Sequence, residues 1–193
     1  MSRRVFFSFH YDDVANFRAN VVRQSNAVLG RDQLGFFDAS VWETAKRTSE
    51  LAIKRLIDQA LENTSVTCVL IGSETYNRHW VRYEILKSIE RGNGLLGVHI
   101  NGIRDKYRQT TVNGPNPFDF LRICPLVSYQ ANPHIAMERD GFQWRKWDGF
   151  NFYPERPIDI QLSSLYPVYD WIANDGINNF AVWIENAARV AGR

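Results

Sequence analysis

The chain has 193 residues, of which 45% are hydrophobic, 13% aromatic and 23% charged, with 23 Lys plus Arg against 21 Asp plus Glu. Disordered chains carry fewer aromatic residues, so the sequence predicts a folded protein, and a chain of this length can bury a core without a disulfide or a structural metal. The formal net charge of +2 is too small to indicate nucleic-acid binding.

The two cysteines and the N-terminal segment indicate the cellular compartment of the protein. Cys68 lies in an apolar run and Cys124 precedes a proline, which indicates two reduced thiols in a reducing compartment. The apolar run Val5 to Phe9 is too short for a signal peptide, and no stretch reaches the roughly 18 to 20 apolar residues of a membrane helix. We therefore expect a soluble, cytoplasmic protein with no membrane or nucleic-acid partner.

Strands and helices alternate over the first hundred residues. Four short apolar runs, typical of strands buried on both faces, are Val5 to Phe9, Leu34 to Phe37, Val66 to Ile71 and Leu95 to Ile100. Three helical patterns separate them. The first begins at Asp12 or Asp13 and ends near Gly30, with apolar positions Val14, Phe17, Val21 and Val28.

The second and third helices have clearer signals. Thr48 or Ser49 is the predicted N-cap of a helix with apolar positions Ile53, Leu56, Ile57, Ala60 and Leu61. Another helix is expected from about Arg78 to Arg91, with Val81, Ile85 and Ile89 packed on the sheet. The alternation predicts an α/β fold of the flavodoxin-like kind, an open parallel sheet flanked by helices.

After Asn101 the alternation stops. Residues 131–157 are rich in aromatics without a long period, so we expect loops with one or two short strands, including a hairpin around residues 139–141. A last helix is predicted from Asn178 to Val190. The organisation is thus a single domain over 1–193, with a core (1–112), an aromatic-rich extension (113–176) and a C-terminal helix (177–193).

Candidate chemistry lies where the strands end. In a doubly wound sheet, ligands bind beyond the carboxyl ends of the strands, where the end of strand one, the loop 38–47 and the segment 80–84 can meet. Trp80 and Glu84 are four residues apart and share one face of a helix. The alternative is that Trp80 lies at the edge of the hydrophobic core and that Glu84 is a solvated helix residue without a chemical role.

Two other constellations are weaker. Asp12 and Asp13 match the acidic pair of receiver domains, but the sequence after strand three has no phosphoacceptor aspartate, so helix capping explains the pair better. The four histidines have no metal-ligand spacing, and we expect no metal site.

The order of several motifs resembles a known family. The segment Arg4 to Tyr11 followed by acidic residues is similar to the first conserved box of TIR domains, and Trp80-x-x-x-Glu84 to the segment carrying the catalytic glutamate of NAD-consuming TIR enzymes. Together with Phe37 to Ser40, Asn63 to Ile85 and Gly114 to Asp119, these phrases resemble the TIR-like ThsB proteins of Thoeris anti-phage systems. The likeness runs from residue 4 to about 120 and resumes over 162–176.

The resemblance implies an activity. Family members cleave NAD at the nicotinamide–ribose bond and form a cyclic ADP-ribose isomer that signals to a separate effector, with NAD as substrate and no other cofactor. It implies that Glu84 is catalytic. It also implies substrate binding by Phe6, Ser8, His10, Asp38, Ser40, Trp42, Arg47 and Trp80, with Lys46 beside Arg47 as a further candidate for the diphosphate.

Partners and the alternative function follow from the same resemblance. A phage-derived trigger and self-association are expected to control activity. The alternative is a TIR-type interaction module without catalysis, which would use the loop 38–47 and the late aromatics for partner binding. The Trp80–Glu84 pair favours the enzyme, because a scaffold has no need of it.

Overall fold

A four-stranded parallel sheet lies at the centre of the protein. The computed structural model describes residues 3–11, 13, 16–25, 49–126, 133–154 and 158–193. The strands of this sheet are β1 (Val5–Ser8), β2 (Val66–Ile71), β3 (Gly94–His99) and β8 (Val168–Asp170), in the order β1-β2-β3-β8 and all parallel. Every residue of β1 and β2 is buried, as expected of strands covered on both faces.

The predicted α/β fold class and three of its strands are confirmed. The predicted strand Leu34 to Phe37 and the loop 38–47 lie outside the described residues. The fourth parallel strand, β8, comes from the segment 113–176 that sequence analysis assigned to the extension, and it pairs Gly97 with Val168. The chain therefore leaves the parallel sheet after β3 and returns to its edge about seventy residues later.

Four helices of the described residues flank this sheet. They are α1 (Arg18–Arg23), α2 (Glu50–Leu61), α3 (His79–Glu90) and α4 (Gly176–Val190). The predicted cap of α2 is confirmed, since Ser49 Oγ accepts a hydrogen bond from the Ala52 amide at 3.2 Å. Residues of α2 and α3 share one core cluster with Phe6, Val69 and Leu95, and residues of α1 and α4 share a second with Phe7, Cys68 and Leu96.

The buried face predicted for α1 is wrong. Phe17 and Val21 are 52% and 41% exposed, whereas Arg18, Ala19 and Val22 are buried. The inward face is rotated because the Arg18 guanidinium has acceptors inside, donating to the carbonyl of Ile103 at 3.0 Å and pairing with Asp105 at 3.1 Å. A buried arginine with satisfied donors looks polar in sequence, so the pattern assigned it to solvent.

A second, antiparallel sheet forms most of the extension. Its strands are β4 (Leu121–Pro125), β5 (His134–Asp140), β6 (Gln143–Phe152) and β7 (Ile160–Gln161), in the order β6-β5-β4-β7. The predicted hairpin is confirmed as β5–β6. The expectation of loops with one or two short strands was wrong in extent, because β6 alone spans ten residues.

A bulge explains why the aromatic segment had no visible period. The register of β5 and β6 shifts between Ile135 and Ala136, whose partners are Asn151 and Trp147, and Gly149 lies in this bulge with φ +93°. Trp147 and Phe150 are both buried although they are three residues apart. Alternation with period two cannot produce that spacing.

Within the described ranges, no helix is both long and apolar enough to cross a bilayer.

The two cysteines allow a direct test of this fold. Cys68 is fully buried in β2, and burial raises the pKa of its thiol, whereas Cys124 in β4 is partly exposed. We expect a thiol reagent to modify Cys124 first and Cys68 only after unfolding, because the thiolate is the reactive form. Mass spectrometry of the labelled native protein measures this, with Cys124→Ala as the control that leaves only Cys68. Rapid native labelling of that variant would contradict the placement of β2.

Candidate functional site

Ser8 and Glu84 meet at the carboxyl end of β1. Ser8 is the last residue of β1 and lies on the sheet face that packs against α3, while Glu84 lies in the second turn of α3. Ser8 Oγ donates to Glu84 Oε2 at 2.5 Å, and the two residues are 0% and 8% exposed. The structure thus brings together two of the residues predicted for the site, which are 76 positions apart in the chain.

The environment of Glu84 changes its acidity. Burial raises the pKa of the carboxyl from 4.5 to about 8, and the hydrogen bond from Ser8 opposes this shift by favouring the carboxylate. Desolvation is the larger of the two effects. A carboxyl group that changes charge near neutral pH is suited to act in acid–base or charge-stabilising chemistry.

A chain of buried hydrogen bonds fixes α3 below Glu84. Ser88 Oγ donates to the Glu84 carbonyl at 2.6 Å and lies 2.7 Å from Thr67 Oγ1 on β2. Asn93 Nδ2 donates to Thr67 Oγ1 at 3.5 Å and to Thr64 Oγ1 at 2.8 Å, which extends these hydrogen bonds to the start of β2. These residues were missed in the sequence, where small polar residues in a helix or strand give no sign of a partner.

Trp80 borders Glu84 on the same helix face. It is partly buried, and its ring meets those of His79 and Tyr83 edge-on, with centroid distances of 5.0 and 5.7 Å. An indole one turn from a buried carboxyl group offers an apolar face to a flat ligand.

The remaining predicted binding residues have different positions. Phe6 is 2% exposed and belongs to the core, so it supports Ser8 from the interior. His10 follows β1, is partly buried, and accepts at its carbonyl from the Asp13 amide. Asp38, Ser40, Trp42, Lys46 and Arg47 lie outside the described residues.

Aromatic residues of β6, which sequence analysis did not place near the site, contact the side of α3 that carries His79 and Tyr83. His79 stacks on Trp147 of β6 with a centroid distance of 4.7 Å and an interplanar angle of 17°, and Tyr83 lies 5.4 Å from Phe150. The density of aromatics in residues 131–157 was the available signal. It showed that the segment packs on something but could not show on which helix.

Comparison with known proteins assigns the chain to a family. The family model described as "Thoeris protein ThsB, TIR-like domain" matches residues 6–105, which include most of β1, all of α3 and both members of the Ser8–Glu84 pair. This chain belongs to the ThsB family. The resemblance stated from its motifs is thereby confirmed.

One curated relative is similar over nearly the whole chain. It is "Putative cyclic ADP-D-ribose synthase ThsB1" of Bacillus cereus (strain MSX-D12), which is 50% identical over an alignment of 193 positions; the alignment covers 95% of this chain and 100% of the relative. The similarity of this ThsB family member therefore extends through the antiparallel sheet and into α4.

The raised pKa of Glu84 predicts a pH-dependent cost in stability. Because the folded-state pKa of about 8 exceeds the ordinary 4.5, the buried acid is most favourable below pH 4.5, and stability is lost as pH rises through 8. We expect Glu84→Gln to be more stable than the wild type at pH 8.5, on the order of several kcal/mol.

Thermal unfolding of both proteins between pH 5 and 8.5 measures this difference. The difference should shrink toward pH 5, and a constant difference across the range would contradict it. Glu90→Gln is the matched control, because Glu90 lies on the same helix but is exposed.

Proposed function

We propose that this protein cleaves NAD at the nicotinamide–ribose bond and closes the remaining ADP-ribose into a cyclic isomer. The observation that carries the proposal is the buried Ser8–Glu84 pair at the carboxyl end of β1. Substantial identity to a relative named as a cyclic ADP-D-ribose synthase supports it. Ligands of open α/β sheets bind at this edge.

The bond cleavage requires a stabilised cation. When the C–N bond to the ribose breaks, its electron pair leaves with neutral nicotinamide, and positive charge develops on the ribose as an oxocarbenium-like state. The Glu84 carboxylate stabilises that charge, and the low-dielectric setting that raises its pKa also strengthens this attraction. The flat face of Trp80 suits the nicotinamide ring.

Substrate binding itself would ionise Glu84. In the free protein a pKa of about 8 keeps much of Glu84 protonated at neutral pH. The cationic pyridinium ring of NAD favours the charged carboxylate and lowers that pKa. Ser8 supports the carboxylate by donating a hydrogen bond to Oε2.

Ring closure follows the cleavage. A hydroxyl oxygen on the ADP side of the molecule attacks the ribose cation, which forms one C–O bond and releases the hydroxyl proton to Glu84 or to solvent. Cyclisation competes with hydrolysis, so the site must keep water out. The burial of Ser8 and Glu84 meets that requirement.

Glu84→Gln tests the catalytic assignment. The variant keeps the volume but removes the charge, so we expect NAD turnover to fall by about a hundredfold or more. Nicotinamide release and cyclic product are measured by chromatography and mass spectrometry, with Glu90→Gln as the control on the same helix. Wild-type turnover in folded Glu84→Gln would overturn the assignment of Glu84 as the catalytic residue.

The proposal includes control by a trigger and a separate effector. The cyclic nucleotide would carry the signal to the effector, and a phage-derived trigger or self-association would bring the enzyme into its competent state. If that state is populated at only about 1%, apparent affinity falls about a hundredfold until a trigger binds it.

Turnover against protein concentration tests this control. We expect low activity per molecule in the purified protein, rising with concentration or with extract from infected cells. Activity that is high and constant from nanomolar to micromolar protein, without response to extract, would remove the regulatory part and leave the chemistry intact.

A further inference from the structure

The helix that carries Glu84 is enclosed between two sheets. On one side Val81 and Ile85 pack into the core over the parallel sheet, and on the other the rings of His79 and Tyr83 contact Trp147 and Phe150 of β6, as described above. All six residues from 81 to 86 are buried. The antiparallel sheet therefore covers the face of α3 that would otherwise meet solvent.

Arg82 joins this helix to the antiparallel sheet. It is 8% exposed, and its Nη1 lies 3.0 Å from Glu138 Oε2 and donates to the Arg139 carbonyl at 3.3 Å, both on β5. Its Nε donates to the Tyr76 carbonyl at 3.0 Å, before the start of α3. The guanidinium also lies over the Phe120 ring, 5.3 Å from its centroid. One side chain thus fixes the helix start to the second sheet.

We propose that Arg82 and Glu138 are positioning residues for Glu84: through them the antiparallel sheet holds α3 against β1, so that the Glu84 carboxyl remains on Ser8 and out of water. Arg82 precedes Glu84 by two residues, which places the two side chains on opposite sides of the helix. The Arg82 contacts therefore anchor the helix on one side while the Ser8 hydrogen bond anchors it on the other, and together they fix its position between the two sheets.

A charged neighbour would be the alternative cause of the raised pKa of Glu84. In the described residues, the titratable or charged groups on the elements packed around this part of α3 include His10 after β1, Lys54 and Asp58 on α2, Glu138 on β5, and Arg82, Tyr83, Lys87 and Glu90 on α3 itself. Lys54 lies over the Tyr83 ring and Asp58 lies 3.6 Å from Lys87. Among the residues that the structure describes, burial and the Ser8 hydrogen bond are the two causes of the shift in the pKa of Glu84, so this pKa depends on how closely α3 packs against β1.

Loosening the second sheet has a specific consequence. If α3 moves away from β1, water reaches Glu84, the desolvation cost falls, and its pKa returns toward 4.5. A change in the pH at which Glu84 titrates distinguishes this from a general loss of stability. If the Arg82–Glu138 ion pair were merely structural, its loss would lower the unfolding temperature and leave that pH unchanged.

The experiment compares four variants of the full chain. Glu138→Ala and Arg82→Ala break the contact, and Arg82→Lys keeps the charge but loses the forked geometry. Asp159→Ala is the matched control, because Asp159 pairs with Arg122 at 2.6 Å on the same antiparallel sheet. Should Arg82→Ala fail to fold, Glu138→Ala decides the test, since the Glu138 side chain is already 28% exposed.

Two readouts are used. The first is the titration of the Glu84 carboxyl by carbon-13 NMR, with the signal assigned by its loss in Glu84→Gln. We expect the midpoint to fall by about one pH unit or more in both alanine variants, by less in Arg82→Lys, and not at all in Asp159→Ala. An unchanged midpoint in folded Glu138→Ala overturns the proposal, whatever its unfolding temperature.

The second readout rests on the proposed function. In NAD turnover, we expect kcat of the alanine variants to drop about ten- to a hundredfold with little change in KM, and the pH dependence of kcat/KM to move with the NMR midpoint. A rise in KM alone would overturn the positioning role. Absence of product from the wild type under every trigger condition counts against the proposed function only, because the titration needs no turnover.

Discussion

Helix α3 is buried between the parallel and the antiparallel sheet, and this burial fixes the arrangement of the elements around it. The buried part of this helix, residues 81–86 and Ser88, must give each polar side chain a partner, since leaving a buried polar group unpaired costs more free energy than a hydrogen bond contributes. Glu84 has Ser8, Arg82 has Glu138 and two carbonyl oxygens, and Ser88 has Thr67. These partners come from β1, the antiparallel sheet and β2, so the helix fixes the relative positions of the elements around it.

The same burial makes Glu84 chemically useful and thermodynamically costly. A solvated glutamate in this helix would be ionised at neutral pH and its charge would be screened by water. In its dry position the carboxyl group is held near the point of losing its proton, and its field is strong where a cation would form. At neutral pH a positive charge in the site favours ionisation, and in the proposed reaction that charge is the substrate's own pyridinium ring. The protein therefore gives up stability at the residue on which its proposed activity depends.

The long segment between β3 and β8 forms the antiparallel sheet and contributes to the core. Instead of closing the sheet with a short crossover, the chain builds an antiparallel sheet whose Trp147, Phe150 and Phe152 join the core around α2 and α3. It then returns to pair β8 with β3, and α4 packs on the opposite face. Because the segment between β3 and β8 contributes side chains to the core, α3 packs against both sheets. A change in packing on one side of the helix therefore alters its packing on the other side.

Local periodicity in the sequence was sufficient to predict several elements and one site residue. Continuous apolar runs gave β1, β2 and β3, the Ser49 cap and its apolar stripe gave α2, and Glu84 was singled out beside Trp80. Tertiary structure decided the rest. The inward face of α1 depends on acceptors for Arg18 in a distant loop. Strand β8 is three residues long and is defined by its pairing with β3, and Arg82 pairs with Glu138, 56 positions away. The acidity of Glu84 belongs to this second group: residue type sets the ordinary pKa, and only the fold decides how much water reaches the carboxyl group.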